Sequence, residues 1–340
     1  MSLSAIPEPE DQVLPTAENL GKALLLIALL CASIYGADRI AAALDAASAV
    51  PPAVAMALKW GSVALLAVLD AVLLTGMGVL AHDAVHRVLF RSAFWNEFWG
   101  GLLSALTLIP FHANRQFHLT HHGYAHQPGL DPEDAMHHHC FAYAATMGSV
   151  VGLKEQYRLF FANFRRLGDR RCAARALKDA AFLVSAGAIY FWLPPRLGVS
   201  LAITVVPMIL AFPLVFAFRA LSDHYGIPPA QRETRERRDI FDADEKTWPG
   251  GRERRQREAS GWVVLTSPWL EWLWSHVNYH EVHHKYPYLS HRYLPQVFAA
   301  TRAQHPYLVV RGYWRSLLNL RSRSYYSTPE EVRPFVPNPP

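Results

Sequence analysis

Residues 54–86 read VAMALKWGSVALLAVLDAVLLTGMGVLAHDAVH, 33 residues without a proline. At about 1.5 Å per residue, a helix of that length is roughly 50 Å long. The hydrocarbon core of a bilayer is only about 30 Å thick. The apolar part is therefore long enough to cross, and the last turns must project into water. Those turns carry His82 and His86, at i and i+4 and so on one face. The stretch predicts a rigid membrane helix that holds two imidazoles just outside the lipid.

Working outward, the same composition recurs. Spans are expected near residues 20–40, 54–80, 179–195 and 199–219, arranged as two hairpins. Pro51-Pro52 separates the first pair, and Pro194-Pro195-Arg196-Leu197-Gly198 joins the second. Residues 94–111 and 141–153 are apolar but too short to cross comfortably, so they are expected as interfacial or re-entrant helices. Residues 261–279 carry Trp262, Trp269, Trp272 and Trp274. Tryptophan favours the headgroup zone, so this segment is expected as a helix along the membrane surface. The fold class that follows is all-α: a polytopic membrane protein with about four transmembrane helices, interfacial helices and a cytoplasmic histidine-rich cap. One membrane domain over residues 20–325 is flanked by an N-terminal tail, 1–19, and a C-terminal tail, 326–340.

The charge distribution orients this arrangement. Of the 33 Lys and Arg, 30 are Lys22 at the start of the first span, the eleven between residues 82 and 178, and the eighteen from Arg219 onward. Only Arg39, Lys59 and Arg196 lie near the other face. This is the positive-inside pattern, and it places both termini and the middle loop in the cytoplasm, in a bacterial-type inner membrane. The net charge of +5 reads as topology and contact with anionic headgroups, not as nucleic-acid binding. Residues 231–258 hold nine basic and eight acidic side chains. That balance suggests a solvated loop, with docking of an electron donor as the alternative. The acidic N-terminus lacks the basic start of a signal peptide. The three cysteines are scattered and form no CxxC pair, which argues against a disulfide framework or a thiolate metal site.

Three histidine clusters fall at one predicted depth: His82 and His86; His118, His121 and His122; His280, His283 and His284. His224 lies a few residues beyond the last expected span. Imidazole is the commonest protein ligand for transition metals. Eight or nine histidines exceed what one site of three or four ligands needs and suit two ions. A single HxxxH pair would read as surface polarity; three clusters on one face do not. A zinc hydrolase of the HExxH type would need glutamate where Asp83 stands, and would leave two clusters unexplained. A metal transporter would need ionisable residues along its spans, and only Asp70 qualifies.

These boxes, their order, and Asn278-Tyr-His-Glu-Val-His-His284 followed by Lys285-Tyr-Pro-Tyr-Leu resemble the membrane fatty acid desaturase and hydroxylase superfamily over roughly residues 55–310. The resemblance implies two non-haem iron ions held by His82, His86, His118, His121, His122, His224, His280, His283 and His284. It implies O2 as co-substrate and electrons from a separate ferredoxin-, rubredoxin- or cytochrome-type donor. The expected substrate is a fatty acyl chain and the first expected reaction is desaturation. Hydroxylation, or oxidative decarboxylation to a terminal alkene, is the alternative; a lipid headgroup or carotenoid substrate also stays open. Several relatives carry an asparagine four residues before the histidine that His224 matches; here that position is Ala220.

Neutral imidazoles leave such a site cationic, so nearby carboxylates should matter. Asp83, Asp223 and Glu281 adjoin proposed ligands and are expected to orient their ring N–H groups, with Asn278 in a similar role. His126 is a spare group beside the second box. The His137-His138-His139 run reads as surface histidine, and His112, His276, His291 and His305 as structural or interfacial. Asp70, Gly76 and Gly78 are candidates for the wall of a substrate cavity, with helix packing as the alternative use of the glycines.

Overall fold

The computed structural model describes residues 6–8, 11–127, 129–137, 139–227, 240–242, 261–305 and 307–321. His138, most of the charged loop 231–258 and the C-terminal tail 326–340 lie outside them. Four helical stretches are long and apolar enough to cross a membrane: α1 (Thr16–Asp45), α2 (Pro52–Val85), the run Arg170–Arg196, and a helix over Val205–His224. Leu65, Val184 and Leu210 are each about 70% exposed in the second, third and fourth of these. Large apolar side chains bared along otherwise apolar helices belong against lipid, where a helix satisfies its own backbone. The chain is an integral membrane protein.

Between the second and third spans come α3 (Ala93–Leu106), α4 (Phe111–Tyr124), the short α5 (Asp134–His137) and α6 (Phe141–Arg165). The stretch expected as one interfacial helix over 94–111 is therefore broken. Leu108 sits at φ 60° in the break. The freed carbonyls of Leu106 and Leu108 accept hydrogen bonds from the hydroxyls of Tyr190 and Tyr157, at 2.6 and 2.9 Å. Helix α6 runs well past the expected 141–153, because Gln156 and Asn163 bond Asn114 and Gln116 of α4.

The third span comprises α7 (Arg170–Gly187), a π-helical turn (Ala188–Trp192) and α8 (Leu193–Arg196). Pro194 and Pro195 thus lie inside a final helical turn, not in the expected loop, because proline is tolerated at the start of a new turn. The fourth span, α9 (Val205–His224), starts six residues later than expected and includes His224 as its last residue. Helix α2 packs against α1, α3 and α9.

The tryptophan-rich segment 261–279 is not the expected surface helix. Trp262–Leu265 forms β1, which pairs in parallel with β2 (Leu308–Arg311). Within that segment only α10 (Pro268–Leu273) is helical before α11 (His280–Lys285), and α12 (Leu294–Thr301) and α13 (Tyr313–Leu320) follow among the described residues. Trp262 and Trp274 are buried, while Trp269 and Trp272 are exposed. A strand wins here because Asn278 holds it: the Val264 N–H donates to the Asn278 carbonyl at 2.8 Å, and Asn278 Nδ2 donates back to the Val264 carbonyl at 2.9 Å. Lys22 of α1 ties this segment down by donating to the Trp272 carbonyl and to Ser275 Oγ.

Candidate metal centre

Four elements bring the histidines together. Helix α2 ends at them, with His86 as its C-terminal cap and Arg87 turning the chain away at φ 59°. Helix α4 carries the second box. Its N-terminus is capped from a distance: Asp179 of α7 accepts from the His112 and Ala113 backbone N–H groups at 2.8 and 3.1 Å. Such a carboxylate satisfies otherwise orphaned donors and complements the helix dipole. Helix α9 ends at His224, and α11 carries the third box. Gly261 lets β1 pass close between the last two: a Cβ there would stand 3.3 Å from the Asp223 carbonyl oxygen and 3.4 Å from the His280 ring.

The nine imidazoles form two sets. His82, His86, His118, His122 and His283 present ring nitrogens all within 4.8 Å of one another, and so do His121, His224 and His284. His280 joins the second set, its Nε2 lying 2.7 Å from His224 Nε2 and 3.1 Å from His284 Nε2. Each three-histidine box therefore serves both sets. On a helix, i+4 lies about 40° to one side of i and i+3 about 60° to the other. That divergence sends His118 and His122 to one set and His121 to its neighbour.

The donors fit metal ions. His118 Nε2 is 3.0 Å from both His86 Nε2 and His122 Nε2, and His122 Nε2 is 3.1 Å from His283 Nε2. A neutral ring has one N–H, so protons alone cannot satisfy several converging nitrogens. A cation accepting every lone pair can. Carboxylates stand on the opposite, Nδ1, side of several rings. His121 Nδ1 is 2.9 Å from Asp131 Oδ1, His82 Nδ1 is 3.6 Å from Asp83, and His280 Nδ1 is 3.9 Å from Asp223. They favour the tautomer with Nδ1 protonated and the Nε2 lone pair facing inward. Burial, reinforced by neighbouring rings, pushes His118 down to about 3. The same causes hold His122, His280, His283 and His284 well below 6.5. These rings are neutral at ordinary pH, the state a metal requires.

The residues behind the ligands are placed unevenly. Asp83 sits closest to His291, at 2.7 Å from its Nδ1. Asp223 contacts Arg219 Nη2 at 2.6 Å. Glu281 is buried, 3.6 Å from Lys285 Nζ. Asn278 bonds β1 and Glu271 Oε1 and so braces the strand beside the third box. Gly78 lines a cavity beside the centre. Gly76 instead packs against the Leu273 carbonyl, where a Cβ would approach to 3.0 Å. Asp70 is buried near Ser33 of α1 and is not among that cavity's lining residues.

Two carboxylates were not singled out from the sequence. Asp131 accepts from the His126 backbone N–H at 2.7 Å as well as facing His121. Glu133 lies 3.7 Å from His118 Nδ1, 3.8 Å from His121 Nδ1 and 4.0 Å from His224 Nε2. Burial works against the charge of both, but His121 and its neighbours outweigh it and hold both below the usual carboxylate range. His137, expected at the surface, is buried with Nε2 3.3 Å from Glu133. The available signal was Asp131-Pro-Glu133-Asp134, the only acidic run between the second box and α6.

Two cavities adjoin one another here, and the second of them meets this centre. One, lined by Leu74, Leu106, Tyr190, Met208 and Ile209, is almost wholly apolar. The other is lined by His82, His118, His224, His280, Glu133 and Arg219. They share Thr107, Ile109, Met136, Gln156, Phe212 and Phe216 as lining residues, so the apolar cavity lies directly beside the one at the histidines.

A family model described as fatty acid desaturase matches residues 58–315, about three quarters of the chain, and spans all nine histidines. No curated protein matches the sequence.

Proposed function

The chain belongs to the fatty acid desaturase family, and from that premise we propose an O2-dependent oxidoreductase that removes hydrogen from an aliphatic acyl chain, with desaturation as the reaction. The observation that carries the reading is the junction of an apolar cavity with two sets of converging, buried imidazoles.

His82, His86, His118, His122 and His283 would hold one iron, and His121, His224, His280 and His284 the other. When bound, the iron pair supplies O2 activation and attack on an unactivated C–H bond, chemistry beyond ordinary side chains. The chain supplies the rest. Asp131 fixes the His121 ring, Glu133 places negative charge beside the four-histidine set, and the apolar walls exclude water from the reacting carbons. Forming one double bond delivers two hydrogens of the chain, with two protons and two electrons from a donor, to O2 as two waters. The donor is a separate ferredoxin-, rubredoxin- or cytochrome-type protein. The Lys and Arg excess on the segments around the centre supports a cytoplasmic side facing that donor, in a bacterial-type inner membrane.

The test is aerobic expression in a host fed defined saturated fatty acids, with mass spectrometry of lipids and headspace and iron analysis of the purified protein. Desaturation gives a product two mass units lighter with an internal double bond. An added oxygen, or an alkene one carbon shorter, replaces it with hydroxylation or decarboxylation. A chain with no iron and no lipid-dependent O2 uptake is not an oxidase.

A further inference from the structure

We infer that the cavity takes an unesterified fatty acid head-inward, its carboxylate on Arg219 and its first carbons beside the histidines. The inference rests on the acyl-chain reading above. Phe212, Phe216, Arg219 and Asp223 follow one another at spacings of four, three and four residues, so they share one face of α9. Phe212 and Phe216 line both cavities, and Arg219 and Asp223 line the one at the histidines. Arg219 lies about 10 Å along the helix axis from Phe212. The wall thus changes from aromatic to cationic within two turns, and the cation stands at the histidine end.

Arg219 is the one Lys or Arg among the described residues lining either cavity. It is 9% exposed. A guanidinium offers five N–H donors in a planar fork. Its Nη2 contacts Asp223 Oδ2 at 2.6 Å, but without hydrogen-bond alignment, and Nε and Nη2 make no hydrogen bond within the described residues. Burying a cation with donors to spare costs free energy that a second anion would offset. The chemistry that matches the fork is a carboxylate, which accepts two parallel hydrogen bonds.

The direction of the chain follows from the walls. With its carboxylate on Arg219, a fatty acid lies among His82, His118, His224 and His280 at its head and among Leu74, Met208 and Ile209 toward its tail. The reverse pose, with a bulky head outside the centre and the chain threaded past it, sets methylene groups against a buried guanidinium. Metal cations held by the histidines would add positive charge at the same end, which would further favour the anion there. Oxidation should then fall on the carbons nearest the carboxyl group.

The experiment compares binding of dodecanoic acid, methyl dodecanoate and 1-dodecanol to the purified, detergent-solubilised full-length protein without reductant. Loss of one charge-assisted pair predicts about tenfold to hundredfold tighter binding of the acid than of the ester. Arg219→Gln should bring the acid down to the level of the ester and leave the ester unchanged; Arg219→Lys should keep part of the preference. Equal binding of acid and ester to the unaltered protein overturns the proposal, and needs no variant to fold. Equal loss of all three ligands in Arg219→Gln, at unchanged iron content, also overturns it by making Arg219 a wall residue only. A second arm maps the oxidised carbon by mass spectrometry. Attack at mid-chain sinks the head-inward pose and leaves the oxidase reading intact. Acid-selective binding without any oxidised product sinks the oxidase reading and leaves the pose.

Discussion

The two histidine sets differ in what surrounds them. The five-histidine set draws two i, i+4 pairs from α2 and α4 and adds His283, so nitrogen donors alone crowd it. The four-histidine set takes single residues from α4 and α9 and a pair from α11, with the Glu133 carboxylate 4.0 Å from His224 Nε2. Where Ala220 offers no polar side chain on α9, Glu133 approaches from α5's side of the cavity. The lesson is that one half of the centre gathers five rings and the other four rings with a carboxylate beside them.

The most damaging way to probe this contrast is to delete one ligand from each half. His122→Ala and His284→Ala should each abolish product formation. Bound iron should fall from about two to about one per chain in each, if the halves fill independently in the manner of two-metal sites. Iron analysis and Mössbauer spectra decide it. Loss of both ions from either variant would merge the halves into one cooperative site and break the comparison.

Acidification should come next. Burial holds His118 at about 3 against the usual 6.5 and keeps His122 well below it too. A ring whose pKa is depressed on folding contributes stability in full above 6.5, and that stability drains as pH falls from there toward 3. Protons also compete with metal for the same nitrogens. The metal-stripped protein should therefore melt progressively lower below pH 6.5, and the loaded protein should release iron over the same range. A melting temperature flat from pH 7 to 4 would contradict the burial of these rings.

Glu133→Gln is a narrower cut. It keeps size and removes charge, and should weaken metal binding about tenfold to a hundredfold, at the four-histidine set above all. Spectroscopic titration with Fe(II) should show one affinity moved and the other kept. Equal weakening of both would mean that Glu133 acts through His118 and His121 together, both of which it approaches within 3.8 Å.

What could be read in the sequence follows the same divide. The helices α1 and α2, and the histidines of the boxes, were visible because lipid demands long apolar runs and helices repeat every 3.6 residues. Both are local rules. His224 was visible only through its depth relative to the boxes. Glu133 and Asp131 were not seen, since a short acidic run beyond a box means nothing until the chain folds back on itself. The strand at Trp262–Leu265 was misread for a related reason. Its partners, Leu308–Arg311 and Asn278, are set by tertiary pairing, while tryptophan content alone points to a membrane surface. His137 looked solvated because its partner, Glu133, had no visible role.

The smallest expected effect tests whether the halves share a support. Helix α4 supplies ligands to both, and its N-terminus is held by Asp179, which also bonds His112 Nδ1 at 2.8 Å. Asp179→Ala removes a cap and should cost about 1–2 kcal/mol of stability, seen as a lowered melting temperature. Because His118, His121 and His122 ride on that helix, both iron affinities should decline together and by similar factors, unlike the outcome for Glu133→Gln. Asp169, which caps its own helix α7 from an exposed position by accepting from Arg171 and Cys172 backbone N–H groups, provides the control. Asp169→Ala should shift the melting temperature less and leave both affinities alone. If the two variants behave alike, α4 is positioned by its packing on α6 and not by the buried carboxylate.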